Sequence, residues 1–286
     1  MRTVSFSYDE KALSLLPARP EQSHKGTFGR VLCVCGSVGM SGAAYLAAKA
    51  AYRMGAGLVR ILTPEENRVI LQTLLPEAIV SVYDSTEPDL SSIDEAEAWA
   101  DVLVIGCGLG VTPCSRRLLA HLLRRTDKPR ILDADALNLL ARNPSLLKYA
   151  KGAILTPHPL ELSRLTGCTP EELLADTEQA AYDFAKAHDL VCVLKEHRTA
   201  VSDGVRVYRN TSGNSGMATG GSGDVLAGIL GGLWAQMRSA DSDPLTVASL
   251  GVYLHGLCGD IAAHRLGEYS LMASDLIDAL PYVLSR

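Results

Sequence analysis

VLCVCGSVGMSGAAYLAAKAAYRMGAGLVRIL, residues 31–62, reads as a strand, a helix and a second strand. Its two runs rich in β-branched residues, residues 31–35 and 58–62, flank an Ala-rich stretch at residues 42–54. This alternation is typical of strand–helix–strand units built on a parallel sheet. The stretch therefore predicts an α/β fold with a mostly parallel central sheet.

Apolar runs of strand length recur along the rest of the chain. Most are apolar on both faces, which requires helices on both sides of the sheet. The dipeptide Asp203-Gly204 favours a hairpin between the last two runs, so the sheet is expected to end in a short antiparallel edge. These further strands are predicted at residues 78–82, 102–105, 130–132, 153–155, 191–194, 200–202 and 205–208.

Helix signals dominate the second half of the chain. TPEE at residues 169–172 combines a cap, a proline and two acidic residues, and predicts a helix to about His188. From Gly223 almost to Arg286 the chain is expected to be helical, with interruptions at residues 238–243 and 267–268, and these last helices should cover one sheet face. Because no linker rich in Pro, Ser or charge divides it, we predict a single domain over residues 1–286.

Composition excludes several classes of function. The 286-residue chain has a formal net charge of -5, which argues against a nucleic-acid groove and favours small-molecule partners. Its seven cysteines are an odd number without a CxxC pair, as is typical of thiols in a reducing compartment. There is no signal-like start and no run of about 18 apolar residues. We therefore expect a cytoplasmic protein with no membrane partner.

Glycine-rich or acidic segments follow three predicted strands, where ligands bind in open α/β sheets. GSVGMSG at residues 36–42 leads into a helix whose amino end could bind an anion. GCGLG at residues 106–110 would let a ligand approach the backbone, but it lacks the GxGxxG spacing of dehydrogenases. Tight turns explain both loops equally well. Asp133 and Asp135 follow the third strand, where one could contact a substrate hydroxyl or a hydrated Mg²⁺ and the other could cap a helix.

Two further strand ends carry basic side chains. His158 lies between Pro157 and Pro159, and these prolines favour an extended backbone that presents the imidazole to a ligand. Lys195 follows the strand at residues 191–194 and could meet phosphate charge as a point cation. Considered alone, it would be interpreted by default as a surface lysine at a strand end.

NTSGNSGMATGGSGD, residues 210–224, carries the strongest signal. The glycines of GGSGD allow consecutive backbone N–H groups to point into one concavity at the amino end of a helix, which makes an anion hole. Asp224 lies in the first turn of that helix. Because a carboxylate weakens phosphate binding, its presence indicates a second role, accepting a proton from a hydroxyl near a transferred phosphate. The alternative is that Asp224 only caps the helix.

GGSGD resembles the GxGD signature of the ribokinase-like superfamily. The chain from about residue 25 to residue 284 is more closely similar to the ADP/ATP-dependent NAD(P)H-hydrate dehydratases, which restore NADH and NADPH from their hydrated forms. The similarity rests on ordered motifs rather than on one. They are KGTFGR at 25–30, the loop at 36–43, GCGLG at 106–110, DADALN at 133–138, TPHP at 156–159, KEHRT at 195–199 and residues 214–228.

This resemblance implies a ribokinase-like fold and a role for each motif. The implied nucleotide contacts are Lys195, Glu196, His197, Arg198, Thr199 and Gly223. The implied contacts of the hydrated nicotinamide nucleotide are Ala43, Gly108, Gly110, His158 and Asp224. The implied anion hole is Gly221, Ser222 and Gly223, and the implied contacts to substrate or to water on Mg²⁺ are Asp133, Asp135 and Asn138.

The implied reaction phosphorylates the C6 hydroxyl of the (6S)-hydrate with ADP or ATP and then eliminates phosphate. Asp224 would be the base for the hydroxyl, and the anion hole would stabilise charge on the phosphoryl group. Mg²⁺ would accompany the nucleotide without a closed set of direct protein ligands. Relatives are often oligomeric, so a homo-oligomer such as a tetramer is expected.

Two residues depart from the family pattern. Leu160 and Glu196 each stand where the family usually has Gly. Leu160 should narrow the substrate side of the pocket, and Glu196 should place a negative charge near the phosphates. The epimerase domain that is frequently fused to the amino end of family members has no room in these 286 residues, so epimerisation of the hydrate is expected of a separate protein.

Two other functions are compatible with parts of the pattern. A small-molecule kinase of the same superfamily, acting for example on a hydroxyethylthiazole, would share GxGD, although TPHP and DAD favour the dehydratase. A nucleotide-binding sensor without chemistry would share the glycine loop. Lys195 and Asp224 count against the sensor, because a protein that only binds has no need of a base.

Overall fold

A ten-stranded sheet runs through residues 4–238 and 243–285, the part of the chain that this computed structural model describes. The strands are β1 (Val4–Phe6), β2 (Arg30–Val34), β3 (Leu58–Pro64), β4 (Ile79–Tyr83), β5 (Val102–Ile105), β6 (Arg130–Leu132), β7 (Ile154–Leu155), β8 (Val191–Leu194), β9 (Ala200–Ser202) and β10 (Arg206–Arg209). They lie in the order β1-β10-β9-β8-β7-β6-β5-β2-β3-β4. All nine predicted strands are present, with boundaries that differ by at most two residues.

The antiparallel strands lie near one edge of the sheet, as predicted, but they do not form the edge itself. β8 pairs with β9, and β9 with β10, in antiparallel register. The unpredicted strand β1 then adds in parallel outside β10, with Ser5 opposite Val207. The last antiparallel strand is therefore covered, and the edge is a strand of only three residues.

Helices pack on both sides of the sheet, as predicted. Side chains of β2 alternate between two apolar cores, with Val31 and Cys33 in one and Leu32 and Val34 in the other. The first core contains α1, α9, α10 and α11, so the last helices do cover one sheet face. The helices are α1 (Ser41–Met54), α2 (Arg68–Leu74), α3 (Leu90–Trp99), α4 (Pro113–Arg125), α5 (Asp135–Arg142), α6 (Pro159–Thr166), α7 (Pro170–Ala175), α8 (Thr177–His188), α9 (Ser222–Met237), α10 (Pro244–Leu266) and α11 (Ala273–Leu284).

The prediction of one continuous helix from Pro170 to about His188 is wrong. The chain leaves helical geometry at Asp176, where φ is -151° and ψ is 88°, and α8 begins after it. The Asp176 carboxylate accepts a hydrogen bond from the Gln179 N–H, so a local cap replaces the continuing helix. Of the interruption expected at residues 238–243, residues 239–242 lie outside the described residues.

Two glycines set the position of α9 against α1. A Cβ atom on Gly228 would lie 2.2 Å from the Ala47 carbonyl oxygen, and one on Gly232 would lie 2.5 Å from that of Ala51. Real Cβ atoms do not approach backbone so closely, so only glycine permits this contact. The two helices therefore meet backbone to backbone, and this contact positions the amino end of α9.

α10 has the length and apolar composition of a membrane-spanning helix, the one such helix in residues 4–238 and 243–285. Buried residues make up 72% of its most apolar 18-residue window. Leu245, Leu250 and Leu254 on this helix are fully buried. This burial is typical of a core helix, which can be as long and as apolar as a membrane-spanning one.

Candidate active site

A cavity of about 1030 Å³ opens at the carboxyl ends of β6, β7 and β8, against the amino end of α9. These are the positions at which open α/β sheets bind ligands. The fold thus brings together segments from Asp133 to Gly256, which are more than a hundred residues apart in the chain. The predicted site residues that line the cavity are Asp133, His158, Lys195, Glu196, His197, Thr199, Gly221, Ser222, Gly223 and Asp224.

Asp133 and Lys195 form a buried ion pair at the base of the cavity. The Asp133 side chain is 2% exposed, and its Oδ1 accepts hydrogen bonds from Lys195 Nζ at 2.7 Å and from Thr156 Oγ1 at 2.6 Å. Burial by itself lowers the pKa of Lys195, but the carboxylates of Asp133 and Glu161 outweigh burial and raise it. The ammonium is therefore charged at neutral pH.

Asp224 stands next to this ion pair, in the first turn of α9. Burial, reinforced by the negative charge of Asp133, raises the pKa of Asp224 from its ordinary 3.8 to about 6. The Lys195 ammonium and a hydrogen bond from Cys107 oppose this rise without cancelling it. A carboxylate with a pKa close to neutrality can both take up and release a proton under working conditions, as a general base must.

The amino end of α9 is built as an anion hole. Gly221 precedes the helix with φ at +91°, and no side chain caps the helix there. The Ser222 N–H donates to the Thr219 carbonyl oxygen at 3.3 Å, so the first-turn N–H groups that follow it remain available to a ligand. A Cβ atom on Gly223 would lie only 3.4 Å from Lys195 Nζ. An anion at this helix end would therefore meet both the helix dipole and the ammonium.

His158 and Glu161 cap α6 reciprocally at the rim of the cavity. The His158 N–H donates to Glu161 Oε2 at 2.9 Å, and the Glu161 N–H donates to His158 Nδ1 at 3.3 Å. Burial and the nearby Lys195 lower the pKa of His158, so its imidazole is neutral at pH 7. Because Nδ1 accepts, Nε2 carries the proton, and the half-exposed ring can donate to a ligand.

Glu161 and His255 complete the site, and sequence reasoning did not identify either as a site residue. Burial raises the pKa of Glu161 to about 7, and the Lys195 ammonium, 4.0 Å from its Oε2, opposes the rise. His255 enters the cavity from α10, and burial lowers its pKa to about 4. Both have a signal in the sequence: Glu161 is the third residue after a helix cap, and His255 interrupts an apolar helix.

The remaining predicted residues do not line the cavity. A Cβ atom on Gly108 would lie 2.8 Å from that of Ala43, which places the loop at residues 106–110 in contact with the first turn of α1. The Gly110 N–H donates to Asp135 Oδ2 at 2.8 Å, and Asn138 Oδ1 accepts from Arg164 at 2.7 Å. Asp135 and Asn138 thus hold neighbouring elements together. The predicted residues outside the cavity lining are Ala43, Gly108, Gly110, Asp135, Asn138 and Arg198.

Both departures from the family pattern line the cavity. Leu160 is 47% exposed beside His158, and Glu196 is exposed beside Lys195. The described lining then holds four carboxylates and a single ammonium. The carboxylates are those of Asp133, Glu161, Glu196 and Asp224.

Comparison with known proteins identifies the family. The family model described as NAD(P)H-hydrate dehydratase matches residues 31–282. The chain is 44% identical over 280 residues to the bifunctional NAD(P)H-hydrate repair enzyme Nnr of Moorella thermoacetica, covering 95% of this chain and 52% of that protein. It is 39% identical over 279 residues to the ADP-dependent (S)-NAD(P)H-hydrate dehydratase of Neisseria meningitidis serogroup B, covering 94% and 89%. The chain thus spans about half the length of the first of these relatives.

A solved structure agrees with the sequence comparison. The ADP/ATP-dependent NAD(P)H-hydrate dehydratase of Bacillus subtilis, co-crystallised with ATP and Mg²⁺, superposes with a TM-score of 0.83 at 31% identity, over 100% of this chain and 99% of that one. Solved neighbours of ribokinase-like type confirm the predicted fold. The family resemblance noted from the motifs is likewise confirmed.

Proposed function

We propose that this chain, which belongs to the NAD(P)H-hydrate dehydratase family, dehydrates the (6S)-hydrates of NADH and NADPH with ADP or ATP as phosphoryl donor. The observation that carries the proposal is Asp224, a carboxylate with a pKa of about 6 beside an uncapped helix end and the Lys195 ammonium. A proton acceptor next to an anion hole suits the transfer of a phosphoryl group to a hydroxyl.

The first step transfers a phosphoryl group to the substrate. Asp224 takes the proton of the C6 hydroxyl while the hydroxyl oxygen forms a bond to the terminal phosphorus of the donor. The bond that joins this phosphorus to the rest of the donor nucleotide breaks. The developing charge is stabilised by the N–H groups of the anion hole formed by Gly221, Ser222 and Gly223, with Lys195 3.4 Å from the Cβ position of Gly223. The products are the C6 phosphate ester and the shortened nucleotide.

The second step eliminates phosphate. The C6–O bond breaks, C5 gives its proton to the departing phosphate, and the electron pair of the C5–H bond forms the C5–C6 double bond of the dihydronicotinamide. His158, neutral and with its proton on Nε2, is suited to donate a hydrogen bond to the departing phosphate. Inorganic phosphate leaves, so water is lost from the substrate at the expense of one phosphoanhydride bond.

Mg²⁺ would enter with the nucleotide. The Cys107 sulfur and carboxylate oxygens of Asp133 and Asp224 lie within 4.8 Å of one another. Mg²⁺ prefers an octahedron of oxygen ligands and a thiol is a poor one, so this group does not form a magnesium cage. The ion would be held by phosphates and water, with Asp133 as a contact to that water, and it would neutralise phosphate charge.

The remaining roles extend the proposal to the whole chain. The nucleotide would lie along residues 195–199 and Gly223. The hydrate would contact His158 and Asp224 inside the cavity, and Ala43, Gly108 and Gly110 outside its lining. We propose one domain over residues 1–286, cytoplasmic localisation and a homo-oligomer such as a tetramer.

The test is recovery of the absorbance of reduced nicotinamide from the purified S hydrate with Mg²⁺ and either ADP or ATP, run side by side. We expect turnover with the S hydrate and none with the R epimer, which serves as the matched control. Inorganic phosphate and reduced nicotinamide should appear in equal amounts. A folded protein that gives no turnover with either donor would refute the dehydratase. Accumulation of a phosphorylated product without elimination would instead identify a kinase.

A further inference from the structure

His255 is a polar residue in an otherwise largely apolar segment of α10. It is the one imidazole or charged side chain between residues 244 and 259, a segment of α10 whose neighbouring residues Leu254 and Gly256 are buried. Placing an imidazole among apolar side chains costs solvation free energy that leucine or phenylalanine would not cost. Because burial lowers the pKa of His255 to about 4, the ring is neutral at physiological pH. A neutral hydrogen-bonding group is thus held at the cavity wall.

The partner of this imidazole is Ser222 in the anion hole, whose backbone also hydrogen-bonds the ring and raises the His255 pKa against the effect of burial. His255 Nε2 lies 3.4 Å from the hydroxyl oxygen of Ser222, the first residue of α9. Within residues 4–238 and 243–285, the Ser222 hydroxyl has no other hydrogen-bond partner. The orientation of this hydroxyl therefore depends on His255, and both side chains face the cavity.

We propose that His255 is a positioning residue for phosphoryl transfer, which acts by fixing the Ser222 hydroxyl as an additional donor of the anion hole. The Nε2–H of the neutral ring donates to Ser222 Oγ. The hydroxyl hydrogen is then left free to donate to an oxygen of the transferring phosphoryl group, beside the backbone N–H groups of the first turn. This inference rests on the proposed function, since it requires a phosphoryl group at the amino end of α9.

Neutrality of the ring is what makes the arrangement useful. A lysine or arginine at this point would bind phosphate in the ground state as tightly as during transfer, which does not raise kcat. A neutral imidazole that works through a hydroxyl adds no net charge and contributes mainly through orientation. The expected signature is accordingly a change in kcat with little change in KM.

A double-mutant cycle tests the proposal, with His255→Phe, Ser222→Ala and the double variant assayed on the S hydrate with ADP or ATP. We expect each single variant to lose about tenfold in kcat, with KM changed by less than about twofold. The double variant should be no slower than the slower single variant, because both changes remove the same hydrogen bond. His255→Gln, which retains an N–H donor, should recover part of the lost kcat.

His264→Phe is the matched control, since it makes the same change at an exposed position of the same helix and should leave kcat unchanged. Multiplicative losses in the double variant would overturn the proposal. So would a His255→Phe protein whose only defects are a lower melting temperature or a higher KM, or a His255→Gln protein no faster than His255→Phe. Turnover of the unchanged protein is the separate test of the dehydratase itself, so failure of either hypothesis can be told from failure of the other.

Discussion

Replacing Asp224 with asparagine should make the protein inactive and more stable at the same time. Burial raises the pKa of Asp224 from 3.8 to about 6. In the unfolded chain this carboxyl loses its proton above pH 3.8, whereas in the folded protein it keeps the proton until about pH 6. Ionisation therefore destabilises the fold, and the cost grows between these pH values and is constant above pH 6.

The size of the effect follows from the same pKa values. Each pH unit between the folded and unfolded pKa corresponds to about 1.4 kcal/mol, so the ionised Asp224 side chain costs up to ~3 kcal/mol above pH 6. Asparagine has nearly the same shape and is never ionised. At pH 7.5 the unfolding free energy of the Asp224→Asn protein should be up to ~3 kcal/mol higher than that of the unchanged protein. Its melting temperature should be up to ~6 °C higher. Near pH 4 the two should be equal.

Two assays check this prediction. Denaturant unfolding at a series of pH values should show the stability difference appearing as the pH rises from about 4 to 6. Turnover should fall by at least about a hundredfold, because the base is lost, while the dissociation constant for ADP should be unchanged or lower. Glu21→Gln makes the same change at an exposed carboxylate and should alter neither quantity. An active Asp224→Asn protein, or one no more stable at pH 7.5, would refute the reasoning.

Two further substitutions test the electrostatics of the cavity and the packing beneath it. Glu196→Gly should tighten ADP binding by about twofold to fivefold at low ionic strength and have little effect at high salt, as titration calorimetry would show. Gly228→Ala should lower the unfolding free energy by about 1–3 kcal/mol, because its Cβ would lie 2.2 Å from the Ala47 oxygen. Gly42→Ala, where a Cβ meets open space in α1, should be neutral or stabilising by up to about 1 kcal/mol. Equal effects in the two glycine variants would contradict the close packing of α1 and α9.

Periodicity located the sheet because a doubly covered strand has to be apolar on both faces. β5, with all four residues buried, is recognisable from its residues alone. β1 is not, because its partner β10 is about two hundred residues away in the chain. Its stability comes from packing such as that between the Phe6 and Tyr208 rings, whose centroids are 5.4 Å apart. A contact of this kind leaves no periodic trace in the local sequence.

The site residues also divide into those whose position follows from chain order and those whose position only packing determines. Asp133, His158 and Lys195 lie within three residues of the ends of β6, β7 and β8. The ends of parallel strands meet at one edge, so the proximity of these residues could be predicted from chain order. Glu161 and His255 lie in helices, and only the packing of a helix determines which of its side chains face the cavity. Asp135 shows the converse error of the same rule, because it also lies within three residues of the end of β6 but accepts a hydrogen bond from the Gly110 N–H instead of lining the cavity.

The charge of the cavity explains why this site relies on backbone groups and neutral imidazoles. Four carboxylates and a single ammonium line the described wall, so side-chain charge alone would repel the phosphates of ADP or ATP. Under the proposed function, the attraction would come from the helix end at Gly221, from the divalent ion proposed to accompany the nucleotide and from neutral donors such as His158. Such a site holds free phosphate weakly. Weak retention would suit the proposed reaction, in which inorganic phosphate leaves in every cycle, and would reserve the strongest interactions for the moment of transfer.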